Sequence, residues 1–171
     1  MQSFTVRIPV KPHLKKYIEC IYGNPIRVSL QNDIGHVILT TLSSRMDSAI
    51  SRDAVAVSAI DAQHDRIREE ILVVIPFHLY YRLNKDVTPY NKILLNRYFQ
   101  TCFDNDMFFV VTSLVNCGIS RKQALERFAD QLNIVIDEDI SMDALIKSDY
   151  RMRQKNLKKI LRDLSTLKTA V

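Results

Sequence analysis

Glycine is scarce in this chain, three residues in 171 beside five prolines, and no other feature of the sequence limits its fold so strongly. Glycine is the default residue where the backbone must take positive φ, so a loop-rich architecture and a low-complexity tail are both excluded. A Gly-rich cradle for phosphates is excluded too. Neither G-x-x-x-x-G-K-[ST] nor G-x-G-x-x-G occurs, and nucleotide hydrolysis is not expected. What remains is a chain of regular elements, 47% hydrophobic, able to bury a core as one domain or as two small subdomains.

The first half reads as mixed. Residues 3–10 alternate with period two and predict a strand with Phe4, Val6, Ile8 and Val10 on one face, Pro9 favouring a sheet edge. Residues 12–22 carry Leu14, Tyr17, Ile18, Ile21 and Tyr22 at helical spacing, opened by Pro12 and closed by Gly23-Asn24-Pro25. Residues 26–30 and 36–42 then read as two strands joined by a turn at 31–35, a hairpin. Residues 43–68 fit no single element. The run from Ile71 to Tyr81, rich in β-branched and aromatic residues, predicts a further strand. A V-x-I-P-apolar pattern begins at both Val6 and Val73; it fits two paired strands or a duplicated half-domain, and five positions are too few to establish a repeat.

The second half reads as helical. Thr88-Pro89 opens a long apolar-periodic segment that ends at Asn116-Cys117-Gly118, with Asp104-Asn105-Asp106 a candidate interruption. Ser120 and Gln123 form a capping box for a helix that buries Ala124, Leu125, Phe128, Ala129 and Leu132, and Ser141 caps the last helix. The expected fold class is α+β: a small mixed or antiparallel sheet with a helix over 1–86, then a helical subdomain over 88–171. Its last two helices have the order of a helix-turn-helix, but residues 133–140 lengthen the usual turn of about 3–4 residues and carry three acids, Asp137, Glu138 and Asp139.

Charge singles out the last helix. Residues 147–171 hold Lys147, Arg151, Arg153, Lys155, Lys158, Lys159, Arg162 and Lys168 against Asp149 and Asp163, a net +6 in a chain whose total is +5. A basic stripe on an otherwise nearly neutral protein attracts phosphates, because each neutralised phosphate releases condensed counterions. The same helix carries an apolar seam. Tyr150, Leu157 and Leu164 are seven apart, as are Ile160 and Leu167, with Ile146 two heptads before Ile160 and Arg153 breaking the row.

Other reactive residue types carry less. Cys20, Cys102 and Cys117 are odd in number, widely spaced and without C-x-x-C, which suits reduced, buried thiols of a cytoplasmic protein. Asp61, His64 and Asp65 would share a helical face and suit a divalent cation, yet no nucleophile or supporting shell accompanies them, so neither catalysis nor a metal is expected there. His13, His36 and His78 stand alone. Tyr80, Tyr81 and Tyr90 have apolar neighbours that favour packing over base stacking. No apolar window suits a signal peptide or a membrane span.

The sequence thus predicts a non-enzymatic, cytoplasmic protein that binds nucleic acid, DNA foremost, or acts as a regulator, without cofactor, metal or membrane. Arg151, Arg153, Lys155, Lys158, Lys159 and Arg162 would contact phosphates, supported by Lys147, Arg121 and Lys122. The alternative is a structural or adaptor protein that binds no nucleic acid and forms a homodimer through Tyr150, Leu157, Ile160, Leu164 and Leu167. A metal-dependent enzyme built on Asp61, His64 and Asp65 stands third.

Overall fold

The structure, a computed structural model, describes residues 3–43, 67–80, 83 and 87–169, and for residues 164 and 166–169 the backbone alone. The fold is α+β. In chain order the elements are β1 (Ser3–Val10), α1 (Pro12–Tyr22), β2 (Ile26–Arg27), α2 (Asp33–Ser43), β3 (Glu69–Pro76), α3 (Phe77–Tyr80), α4 (Pro89–Asn116), α5 (Arg121–Gln131) and α6 (Met142–Thr169). Two compact units divide the chain, residues 1–100 and 101–171.

In the first unit β3 is the central strand of three, antiparallel to β1 and parallel to β2. The two V-x-I-P segments are therefore neighbours in one sheet, with Val6 opposite Val73 and Ile8 opposite Ile71. Alternation decides the faces: Ile8, Val10, Ile71, Val73 and Ile75 are fully buried, and the residues between them look outward or sit half-buried. Pro9 tolerates its place because β1 is an edge strand. Leu14, Tyr17 and Ile18 of α1, which packs on β3, are buried, as are Ile34, Ile38 and Leu42 of α2. Asn96, 4% exposed on α4, fastens the end of β1: its Nδ2 donates to Pro9 O (2.9 Å) and Lys92 O (2.8 Å), while its Oδ1 accepts from Lys11 N (3.1 Å).

The hairpin expected at 26–42 does not form. Residues 36–42 belong to helix α2, and β2 pairs with β3 instead. Two local causes outweigh the β-branched composition of that run. Asn32 acts as N-cap, its Oδ1 accepting from Ile34 N (3.0 Å) and Gly35 N (3.3 Å). The apolar residues Ile34, Ile38, Leu39 and Leu42 then fall on one helical face and are buried. Gly35 lets the first turn press against the chain before it: a Cβ there would lie 2.4 Å from Ser29 O and 2.8 Å from Ser29 N. The strand expected through Tyr81 ends at Pro76, after which Phe77–Tyr80 turns helical and Phe4 stacks on Phe77 and Tyr80, ring centroids 5.6 and 3.9 Å away.

The second unit is helical. α4 begins within residues 1–100, where Thr88 caps it by accepting from Asn91 N at 3.2 Å, and continues unbroken through Asp104-Asn105-Asp106. Gly118, at φ +87°, takes the left-handed position after its end. Ser120 Oγ accepts from Gln123 N at the head of α5, whose Ala124, Leu125, Phe128 and Ala129 are buried with Phe103, Met107 and Val111 of α4 and Leu145 of α6 in the second unit's core. The phenyl rings of Phe103 and Phe128 meet at 5.4 Å. None of the three cysteines is buried, contrary to expectation: Cys20 and Cys117 are exposed and Cys102 is half-buried, because each sits on a helix flank or end rather than on the core face. Among the described residues no helix is long and apolar enough to cross a membrane.

Candidate functional site

Every cation singled out in the sequence lies on α5 or α6. Helix α6 begins under the control of Ser141, whose Oγ accepts from Ala144 N at 3.3 Å. Two acids of the preceding connection accept from nearby main-chain groups. Asp139 Oδ2 accepts from Val135 N at 2.7 Å and Asp137 Oδ1 from Met142 N at 3.2 Å, with Asp137 itself at φ 71°. This ten-residue connection, 132–141, separates α5 from α6.

Three rows run along α6. The first docks the helix on its own unit: Leu145 and Asp149 are buried, Met152 and Asn156 half-buried, spaced 4, 3 and 4. The second is cationic. Lys147, Arg151, Lys155, Lys158 and Arg162, all exposed, follow at intervals of 4, 4, 3 and 4, which at 100° per residue confines them to an arc of roughly 80°. At 1.5 Å of rise per residue the row is about 22 Å long. Asp143, Asp149 and Asp163 all fall outside the arc. Lys159, also exposed, stands beside it.

The third row is apolar. Ile146, Tyr150, Leu157 and Ile160 are 43%, 53%, 52% and 55% exposed, and Leu161 beside them 58%. Leu164 and Leu167 continue the row in sequence; their side chains lie outside the described residues.

The remaining expected phosphate contacts are engaged within the protein. Arg121 Nη1 lies 2.7 Å from Asp149 Oδ1, and Arg153 Nε 3.1 Å from Asp149 Oδ2, so one buried carboxylate, 1% exposed, holds two arginines. Arg153 also lies over the ring of Tyr150, 5.5 Å from its centroid. Lys122 faces Glu126 at 3.9 Å across one turn of α5. Sequence reasoning counted Asp149 only as an acid opposing the basic row. Its burial was the missing signal, and the i, i+4 spacing to Arg153 was the one local trace of it.

Asp61, His64 and Asp65 lie outside the described residues. Among the described residues no three His, Cys, Asp or Glu side chains come together as a metal ion requires. A shallow depression of about 360 Å³ in the first unit, lined by Thr5, Arg7, Glu70, Tyr80 and Lys92 among others, contains the Arg7–Glu70 ion pair at 3.6 Å. Its lining has no nucleophile joined to a base, and Tyr80 offers no free ring face on the side where Phe4 stacks. The chain matches no family model, no curated protein and no solved structure.

Proposed function

We propose that the protein is a non-enzymatic, cytoplasmic nucleic-acid-binding protein that contacts phosphates through the cationic row of α6, duplex DNA being the ligand favoured. One observation carries the reading: five exposed cations, Lys147, Arg151, Lys155, Lys158 and Arg162, aligned on an acid-free arc about 22 Å long. A duplex presents one negative charge per roughly 1.7 Å of axis, so a straight cationic row of that length meets several phosphates at once. Lys159 extends the row at its edge. Arg121 and Lys122 on α5, and Arg153 off the row, are secondary. With α5 placed before it, α6 takes the part of the second helix of a helix-turn-helix whose turn has been lengthened.

Fluorescence anisotropy against duplex DNA, single-stranded DNA and RNA over a range of salt tests this. Duplex binding whose log K falls with log salt at a slope of about −0.9 for each of the row's contacts is expected. Replacing Lys155, Lys158, Lys159 and Arg162 by Gln weakens binding and flattens that slope by up to about 3.6. Absence of binding at low salt, or an unchanged slope in the variant, would sink the reading and leave the adaptor alternative.

A further inference from the structure

The apolar row of α6 is left unused by phosphate binding, because it occupies a different face from the cations. It is also distinct from the row that docks the helix, displaced from Leu145, Asp149, Met152 and Asn156 by one residue. Ile146, Tyr150, Arg153, Leu157 and Ile160 follow at 4, 3, 4 and 3, a strict seven-residue repeat. Such a repeat drifts around a straight helix by about 20° per heptad and stays in contact only with a second helix that coils around it.

Charge selects among the surfaces that could cover it. The cationic arc is centred roughly 130° around the helix from the apolar row. An anionic bilayer lying on the apolar row would leave Arg151, Lys155, Lys158 and Arg162 on its far side. Two copies of α6 meeting on the apolar row keep their cations apart. Arg153, the one charged residue within it, is held to its own helix by Asp149, which it shares with Arg121, and by the ring of Tyr150, so its head group is already engaged when a second copy approaches.

We infer that this face is a self-association surface, covered by the same face of a second copy of the chain in a two-stranded coiled coil. Leucine at 157 and 164 with isoleucine at 146 and 160 is a core choice that by itself leans toward three or four strands. Here the flank bearing Asp149 and Asn156 is covered by the second unit's own body, with Asp149 1% exposed, which leaves width for a single neighbour. The dimer turns both cationic rows outward, and its formation does not depend on what those rows bind.

Sedimentation equilibrium and light scattering on the full chain over a wide concentration range read this out. A dimer is expected, and Leu157→Ser with Ile160→Ser raises its dissociation constant at least about a hundredfold. Both residues are half-exposed, so far-UV circular dichroism and the urea midpoint of the dissociated variant stay near those of the parent, and Leu157→Met keeps the dimer. A monomer at every concentration, a trimer or tetramer, or a dimer indifferent to both serines would overturn the inference. So would a monomer that sediments with phosphatidylserine-containing vesicles in a Leu157-dependent way. A dimer that ignores DNA and a monomer that binds it remain separate results, so this inference and the phosphate reading fail independently.

Discussion

Arg121, at the head of α5, places Nη1 2.7 Å from Oδ1 of Asp149, a carboxylate 1% exposed on α6 and 28 residues away in sequence. Arg153 binds the other oxygen from the next turn of α6. The pairing clamps α6 to its unit by its first turns, so that the cationic and apolar rows beyond are presented rather than packed.

Asp149→Ala is therefore expected to loosen the second unit. Removing one partner of a fully buried ion pair costs about 3–5 kcal/mol. Arg121 and Arg153 keep 32% and 42% of their side-chain surfaces in solvent, which reduces the expectation to about 2 kcal/mol. Arg153→Ala, which leaves the Arg121 bond in place, costs under about 1 kcal/mol. Urea denaturation of the two variants checks the order, and equal effects would refute it.

Gly35→Ala is expected to destabilise the first unit by overpacking. The added methyl would stand 2.4 Å from the backbone oxygen of Ser29, which no rotamer change can move. The first turn of α2 or the chain after β2 must shift, at about 1–3 kcal/mol. At Gly118 nothing lies within 4 Å of a built Cβ, so Gly118→Ala costs only the left-handed conformation, about 1 kcal/mol. Thermal unfolding of the two variants separates a steric cost from a conformational one.

Much of the helical half was legible because its signals are local. Ser120 with Gln123, the apolar positions 124, 125, 128 and 129, and Gly118 each specify a cap, a face or an end within a few residues. α2 was not legible, since the strand composition of Val37, Ile38, Thr40 and Thr41 masked the Asn32 cap and the helical spacing of Ile34, Ile38, Leu39 and Leu42. The cationic row of α6 follows from spacing alone. What spacing does not carry is burial: it set Arg153 down as a fault in the apolar row and Asp149 as a stray acid, whereas the two form a pair closed by Arg121 from another helix.

The Lys15–Glu69 pair predicts an alkaline effect. Lys15 Nζ donates to Glu69 Oε2 at 2.8 Å, and this hydrogen bond raises the lysine above its ordinary 10.5, against a smaller opposing effect of burial. A raised folded-state value means the stabilisation is complete below pH 10.5 and is lost as pH climbs through the folded value. The side chains are 31% and 45% exposed, so the effect stays below about 1 kcal/mol. The stability of Lys15→Met should lack this component of alkaline loss; identical pH profiles above 10 for parent and variant would remove the pair from the account.

Asn96 and Asn91 lie five residues apart on α4, 4% and 1% exposed, and should respond oppositely to the same change. The Asn96 amide bonds Pro9 O, Lys92 O and Lys11 N, joining the end of β1 to α4. In Asn96→Leu the main-chain groups at 9 and 11 lose their partner, and with an unsatisfied buried polar group costing about 1–3 kcal/mol, a loss of roughly 3 kcal/mol is expected. Asn91 Nδ2, by contrast, is buried without a hydrogen-bond partner. Asn91→Leu therefore removes a group already bearing its desolvation cost, and stability should hold or rise. Denaturant midpoints of the two variants decide the matter: a large loss at 91 would mean that its amide is satisfied in solution, and a small one at 96 that the β1 clasp is replaced by water at little cost.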